Sequence, residues 1–198
     1  MKKRLITSAC IAGIIIILVL VAIYWLTVKS VAFTLVGSDY TVQVRTQSGR
    51  TISALERSST VSLHPGTYLY VIEGEKYDSA AQTALAITPD TTEVTINPAY
   101  SQEYLAKLQE QEDAAITSLI SSRYPGVSFT LKNLTLYGRG EWASAWLVVQ
   151  QEPKNIPEVY RTILHQVNDT WVVAAKPAIA IAARNYPDIP KNIVDSLY

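Results

Sequence analysis

Residues 5–27, LITSACIAGIIIILVLVAIYWLT, run for 23 positions without a charged side chain. A helix rising about 1.5 Å per residue would span roughly 34 Å over that run, enough for a hydrocarbon layer of about 30 Å. A helix apolar on every face belongs in lipid or at the centre of a large protein, and this chain is too short to surround it. The run therefore predicts a transmembrane helix over 5–27. Lys2, Lys3 and Arg4 precede it and only Lys29 follows closely. The positive-inside bias then predicts a cytoplasmic stub at 1–4, with residues from Ser30 onward outside the inner membrane. The run exceeds the apolar region of a cleaved signal peptide and ends without a small-x-small step, so a retained signal anchor is expected. Thr7-Ser8-Ala9-Cys10 is a poor lipid-attachment box, because only Leu5 and Ile6 separate it from the basic residues.

Beyond Arg4 the chain carries 14 basic and 17 acidic residues and no basic cluster. That balance argues against a nucleic-acid partner, whose phosphates call for clustered cations. Cys10 is the only cysteine. Disulfides are thereby excluded, and stability must come from packed cores, of which about 170 residues can supply one or two. Two histidines, His64 and His165, argue against a zinc site. No glycine-rich phosphate loop, nucleophile elbow or metal-ligand spacing occurs, so no catalytic residue, metal or cofactor is expected.

From 31 to 97 short apolar-polar alternations are separated by turn residues, and no helical period appears. Tyr40, Val42 and Val44 alternate with polar residues, and Gln47-Ser48-Gly49-Arg50 reads as a hairpin turn. Further strands are expected at 51–54, 60–63, 68–73, 83–87 and 92–96. The spacing suits a small antiparallel β-sandwich. Within it, the run from His64-Pro65-Gly66-Thr67-Tyr68 through Glu73-Gly74-Glu75-Lys76-Tyr77 resembles the core of the PEGA-type domain, a small β-sandwich of bacterial surface proteins. That likeness implies a fold and a surface setting, and brings no catalytic residue. In it Pro65 is expected to preset one turn torsion and Gly66 to supply the other. Tyr68 and Tyr70 are candidate binding aromatics; alternatively they share one face of a strand and pack there.

A helix is expected over 101–122, capped by Ser101 and ended by Tyr124-Pro125-Gly126. Its polar middle, Gln109-Glu110-Gln111-Glu112-Asp113, suggests a connecting helix whose first half is solvated and whose second half docks on the strands beyond Gly126. Over 123–198 longer strands return. Val127, Phe129 and Leu131 alternate in one phase, and Leu134 and Leu136 in the other, which places a bulge near Lys132-Asn133. Trp142, Ser144, Trp146 and Val148 face one way along the next strand, and Ala143, Ala145, Leu147 and Val149 the other. Asn168-Asp169 suits a left-handed two-residue turn. A helix followed by an antiparallel meander is an α+β roll. The run Tyr160-Arg161-Thr162-Ile163-Leu164-His165 through Trp171-Val172-Val173 resembles the nuclear-transport-factor-two-like and cystatin-like cone folds, over about 103–180. Those groups hold both enzymes and binders, so the likeness carries no activity with it.

The expected architecture is thus α+β: a transmembrane helix, a PEGA-like sandwich at 31–97, a connecting helix at 101–122 and a cone-type domain at 123–198. His165 and Asp169 flank a hairpin bend and make a poor acid-base pair. Trp142, Trp146 and Trp171 are expected to form the core between sheet and helix. The expected role is non-catalytic: binding or assembly at the outer face of the bacterial inner membrane, with protein partners in the envelope. The alternative is a small-ligand-binding or hydrolase-like cone, with His165, Trp142 and Trp146 lining its pocket.

Overall fold

A computed structural model of the chain describes residues 27–151 and 156–198. They form eleven strands in three sheets, one 22-residue helix, one five-residue helix and a 3₁₀ turn at Ala183–Asn185. The chain is therefore predominantly β, which corrects the expectation of an α+β protein led by a transmembrane helix. Among the described residues no helix is long and apolar enough to cross a membrane. The helix of suitable length, α1 (Gln102–Arg123), carries Glu103, Lys107, Glu110, Glu112, Asp113 and Arg123, and burying those charges in lipid would be costly. On the same finding the signal anchor and the inner-membrane location are left without support among the described residues. The apolar run at 5–27 lies outside the described residues, apart from Thr27. Two compact units meet between Asn97 and Pro98.

In the first unit, β1 (Lys29–Leu35) lies between β4 (Ser59–Leu63) and β7 (Glu93–Ile96). The second sheet has the order β3-β2-β5-β6, formed by β3 (Thr51–Leu55), β2 (Thr41–Thr46), β5 (Gly66–Glu73) and β6 (Gln82–Ile87). Val31, Phe33 and Leu35 are buried along β1, as are Val42 and Val44 along β2, while their neighbours are more accessible. Each sheet thus buries one face, as strands in a sandwich do. The expected all-antiparallel pattern is corrected at one edge, because β1 pairs with β7 in parallel, Ala32 opposite Glu93 and Leu35 opposite Ile96. A parallel pair needs a long crossover, and the five strands between β1 and β7 supply it. The Tyr40 hydroxyl, buried, lies 3.0 Å from the carbonyls of both Val36 and Ile96 and so ties the ends of that pair together. Gly66 enters β5 opposite Ile87 without a positive φ, so Pro65-Gly66 leads into a strand and is not a left-handed turn.

The second unit is one antiparallel sheet of order β11-β10-β9-β8, built from β8 (Phe129–Tyr137), β9 (Trp142–Gln151), β10 (Ile156–Val167) and β11 (Thr170–Ala178). In β8 the register slips between Lys132 and Thr135, and Asn133 takes a φ of 48°. This bulge puts Phe129, Leu131, Leu134 and Leu136 all on the face that meets α1. Asn168 and Asp169, at φ 50° and 57°, close the β10–β11 hairpin.

α1 lies on that face. Ser101 caps it by accepting from the Tyr104 N–H at 3.2 Å, and Leu105, Ile116 and Ile120 are buried against Ala143, Ala145, Leu147 and Leu164. Its first half is also docked: a Cβ on Gly140, in the β8–β9 turn, would lie 2.5 Å from Leu108 Cδ2. The solvated first half expected from the polar middle is thereby corrected. Trp171 packs on the same face and donates through Nε1 to Glu112 Oε2 at 2.7 Å.

The opposite face is covered by the C-terminal segment. Ile181, Ile189, Ile193, Val194 and Leu197, the last three on or beside α2 (Lys191–Asp195), pack on Ile163 and Ala175. Trp142 and Trp146 belong to this second core. Only Trp171 of the three tryptophans lies between sheet and helix, so the expected helix-side placement of Trp142 and Trp146 is corrected. Their strand alternation put them opposite Ala143 and Leu147, and the segment after β11 provides the cover.

Candidate functional site

The sheet of the second unit is buried on both faces, and each face treats its candidate residues differently. On the face covered by the C-terminal segment, His165 stacks flat on Trp142, with ring centroids 4.0 Å apart and 12° between planes. Further along the same face, Trp146 lies opposite Arg161 in register, and the guanidinium stands 5.3 Å from its ring and 4.9 Å from that of Tyr198. Arg161 also donates to the carbonyls of Leu197 (3.0 Å) and Ile179 (2.5 Å). These groups clamp the C-terminal segment. Asp169 sits exposed in its hairpin turn, away from the ring stack on which His165 is held.

Tyr68 and Tyr70 are half-buried in β5. Their register partners Thr46 and Val44, with Val42 opposite Ile72, put them on the face where Val42 and Val44 are fully buried. The Tyr68 hydroxyl donates to the carbonyl of His64 at 2.9 Å. The geometry is that of two strand residues completing a core face. In a polar depression nearby, bordered by Asp39, Glu56 and Glu73, two of the charges are engaged: Asp39 meets Lys76 at 3.1 Å and accepts from Tyr77 at 2.9 Å, and Glu73 faces Arg45 at 3.7 Å. Among the described residues no group of three His, Cys, Asp or Glu side chains could hold a metal ion.

The helix-covered face offers a different feature. α1 stops at Arg123, where the Tyr124 N–H still bonds the carbonyl of Ile120 and Gly126 turns the chain at φ 85°. The strands continue beyond that point, so among the described residues apolar side chains in phase with the core have no helix above them. The result is a hollow of about 330 Å³. Ile120 and Tyr124 form one wall, and Phe129, Leu147, Val149 and Tyr160 the other. Val127 stands at its mouth and is 48 % exposed. Apolar concavities of this size with few polar groups are the usual form of a small-molecule site.

One polar pair marks the rim. The Tyr160 hydroxyl donates to Glu158 Oε2 at 2.5 Å. Glu158 stands two residues before Tyr160, hence on the same sheet face, and its cross-strand partner is Val149 of the hollow. The bond to the carboxylate, and the negative charge itself, hold the Tyr160 hydroxyl above the ordinary phenol range. None of the candidate binding residues proposed from the sequence lines this hollow. Its strand members share the phase of Ala143 and Ala145, but the hollow exists because the helix ends before the strands do. Neither protein-family models, nor curated proteins, nor solved structures match the chain.

Proposed function

We propose that this chain is a non-catalytic binding protein, with its ligand site in the hollow at the open end of the second unit. The observation that supports the reading is an apolar concavity walled by Ile120, Tyr124, Leu147 and Val149, with no convergent acid, base and nucleophile around it. The two family likenesses belong to the same reading: two sheets each burying one face support the sandwich for 31–97, and a long helix on a four-stranded antiparallel sheet supports the cone fold for 103–180. Toluene, followed by methyl NMR of the labelled chain, tests the site. The reading expects shifts at Ile120, Val127, Leu147 and Val149, and their loss in Val127→Trp, a substitution at a half-exposed position that blocks the mouth. Shifts scattered over the chain, or unchanged in Val127→Trp, would count against it.

A protein partner is the second reading. Its supporting observation is the apolar end of the β10–β11 hairpin, where Val167 is 44 % and Val172 41 % exposed, the latter opposite the stacked His165.

A further inference from the structure

The hollow and its rim together narrow the chemistry of the ligand, on the assumption that the hollow is the binding site. Its walls are aliphatic and aromatic, with Tyr124 and Tyr160 the residues among them that carry a polar group. The charge beside it is the Glu158 carboxylate, half-buried on the same sheet face and fixed by Tyr160. A carboxylate against an apolar wall acts on a neighbouring charge more strongly than one in open water, because less solvent screens it. It repels an anionic head group and attracts a cationic one. Tyr160 commits its only hydroxyl proton to Glu158, so the phenol oxygen has lone pairs left to accept. An ammonium carries three donors and no acceptor, and suits the Glu158–Tyr160 pair, whose remaining capacity is to accept.

We infer that the hollow between the end of α1 and the sheet takes a small primary amine, its apolar body between Ile120 and Leu147 and its ammonium on Glu158 and Tyr160. Three indoles that share one apolar body separate this from simple apolar binding: tryptamine, uncharged 3-ethylindole and anionic indole-3-propionate, each titrated into the full chain and followed by the methyl signals of Val127, Leu147 and Val149. Tryptamine is expected to bind about tenfold more tightly than indole-3-propionate, with 3-ethylindole between them. Glu158→Gln should remove the ranking. Tyr160→Phe keeps the carboxylate and should keep the order. If 3-ethylindole moves these methyls but tryptamine binds no better than indole-3-propionate, the amine assignment fails and the pocket stands. If none of the three moves them, both fail. Equal ranking in Glu158→Gln and in the unaltered chain, with circular dichroism unchanged, would also overturn the assignment.

Discussion

A phenol that donates to a carboxylate gives up its proton reluctantly, because ionising would set two negative charges side by side. Tyr160 is in that position, and its titration lies above that of an ordinary tyrosine. A folded-state value raised above the unfolded one stabilises the fold fully at pH below the unfolded value of about 10, and that contribution disappears as pH climbs through the folded value. Ultraviolet absorbance at 295 nm should therefore show a late-ionising tyrosine among the twelve of the chain. Tyr160→Phe should remove the late component, and Glu158→Gln should move it toward the others. An alkaline titration identical in the unaltered chain and in Tyr160→Phe would contradict the bond. At the helix surface, Glu103 shows the opposite sense: Lys107, 2.7 Å away, holds its carboxyl below the usual range. The part of its stabilisation that depends on that pair is present above the unfolded carboxyl value and fades as pH falls through the folded one. Glu103 is exposed and Tyr160 only half-buried, and the effect of each is modest.

At the scale of elements, β8 shows how much of the chain is readable from residue order alone. Val127, Phe129 and Leu131 give way to Leu134 and Leu136, and a period-2 strand can bring both sets to one face only by inserting a residue. The slip at 132–135 does that, with Asn133 carrying the left-handed backbone. Asparagine tolerates that conformation and a β-branched residue does not. Asn133→Val should therefore cost about 1–3 kcal/mol in denaturant unfolding, and Asn133→Gly only a few tenths. The Asn168-Asp169 turn and the Ser101 cap are legible for the same reason, since each depends on a few adjacent side chains. The parallel partner of β1 is not, because alternation says which face is buried and nothing about which strand lies beside it. The docked first half of α1 is hidden too: Glu110, Gln111 and Asp113 in its middle face outward, while the contacts that hold it come from Leu105 in the core and Leu108 against the turn at Gly140.

At the scale of the whole molecule, the second unit derives its stability from both sides of one sheet. Apolar residues occupy both phases of β9, Trp142 and Trp146 in one and Ala143 and Leu147 in the other. That pattern marks a strand buried twice, and it is the signal in the sequence for a second cover. The identity of that cover is not readable locally, since Ile181, Ile189 and Leu197 are scattered among prolines and polar residues. The site shares this limit: each wall residue is visible in the sequence, but the hollow follows from a mismatch in length between a helix and the strands beneath it. Leu197 is fully buried, and Leu197→Ala should cost about 2–5 kcal/mol. Hydrogen exchange should then quicken in β9 and β10, with tryptophan emission shifting to the red. Unchanged exchange in those strands would show that the C-terminal segment does not hold the second face.

The parallel pairing of β1 with β7 sets an order of events during synthesis. Leu35 emerges from the ribosome early, yet its neighbour Ile96 is added some sixty residues later. Contacts so distant along the chain form slowly, because a long loop must close before any of them is gained. The first strand to appear thus waits with one edge open until almost the whole first unit has been translated, and a nascent chain stalled before residue 93 would be left without that half of its sheet.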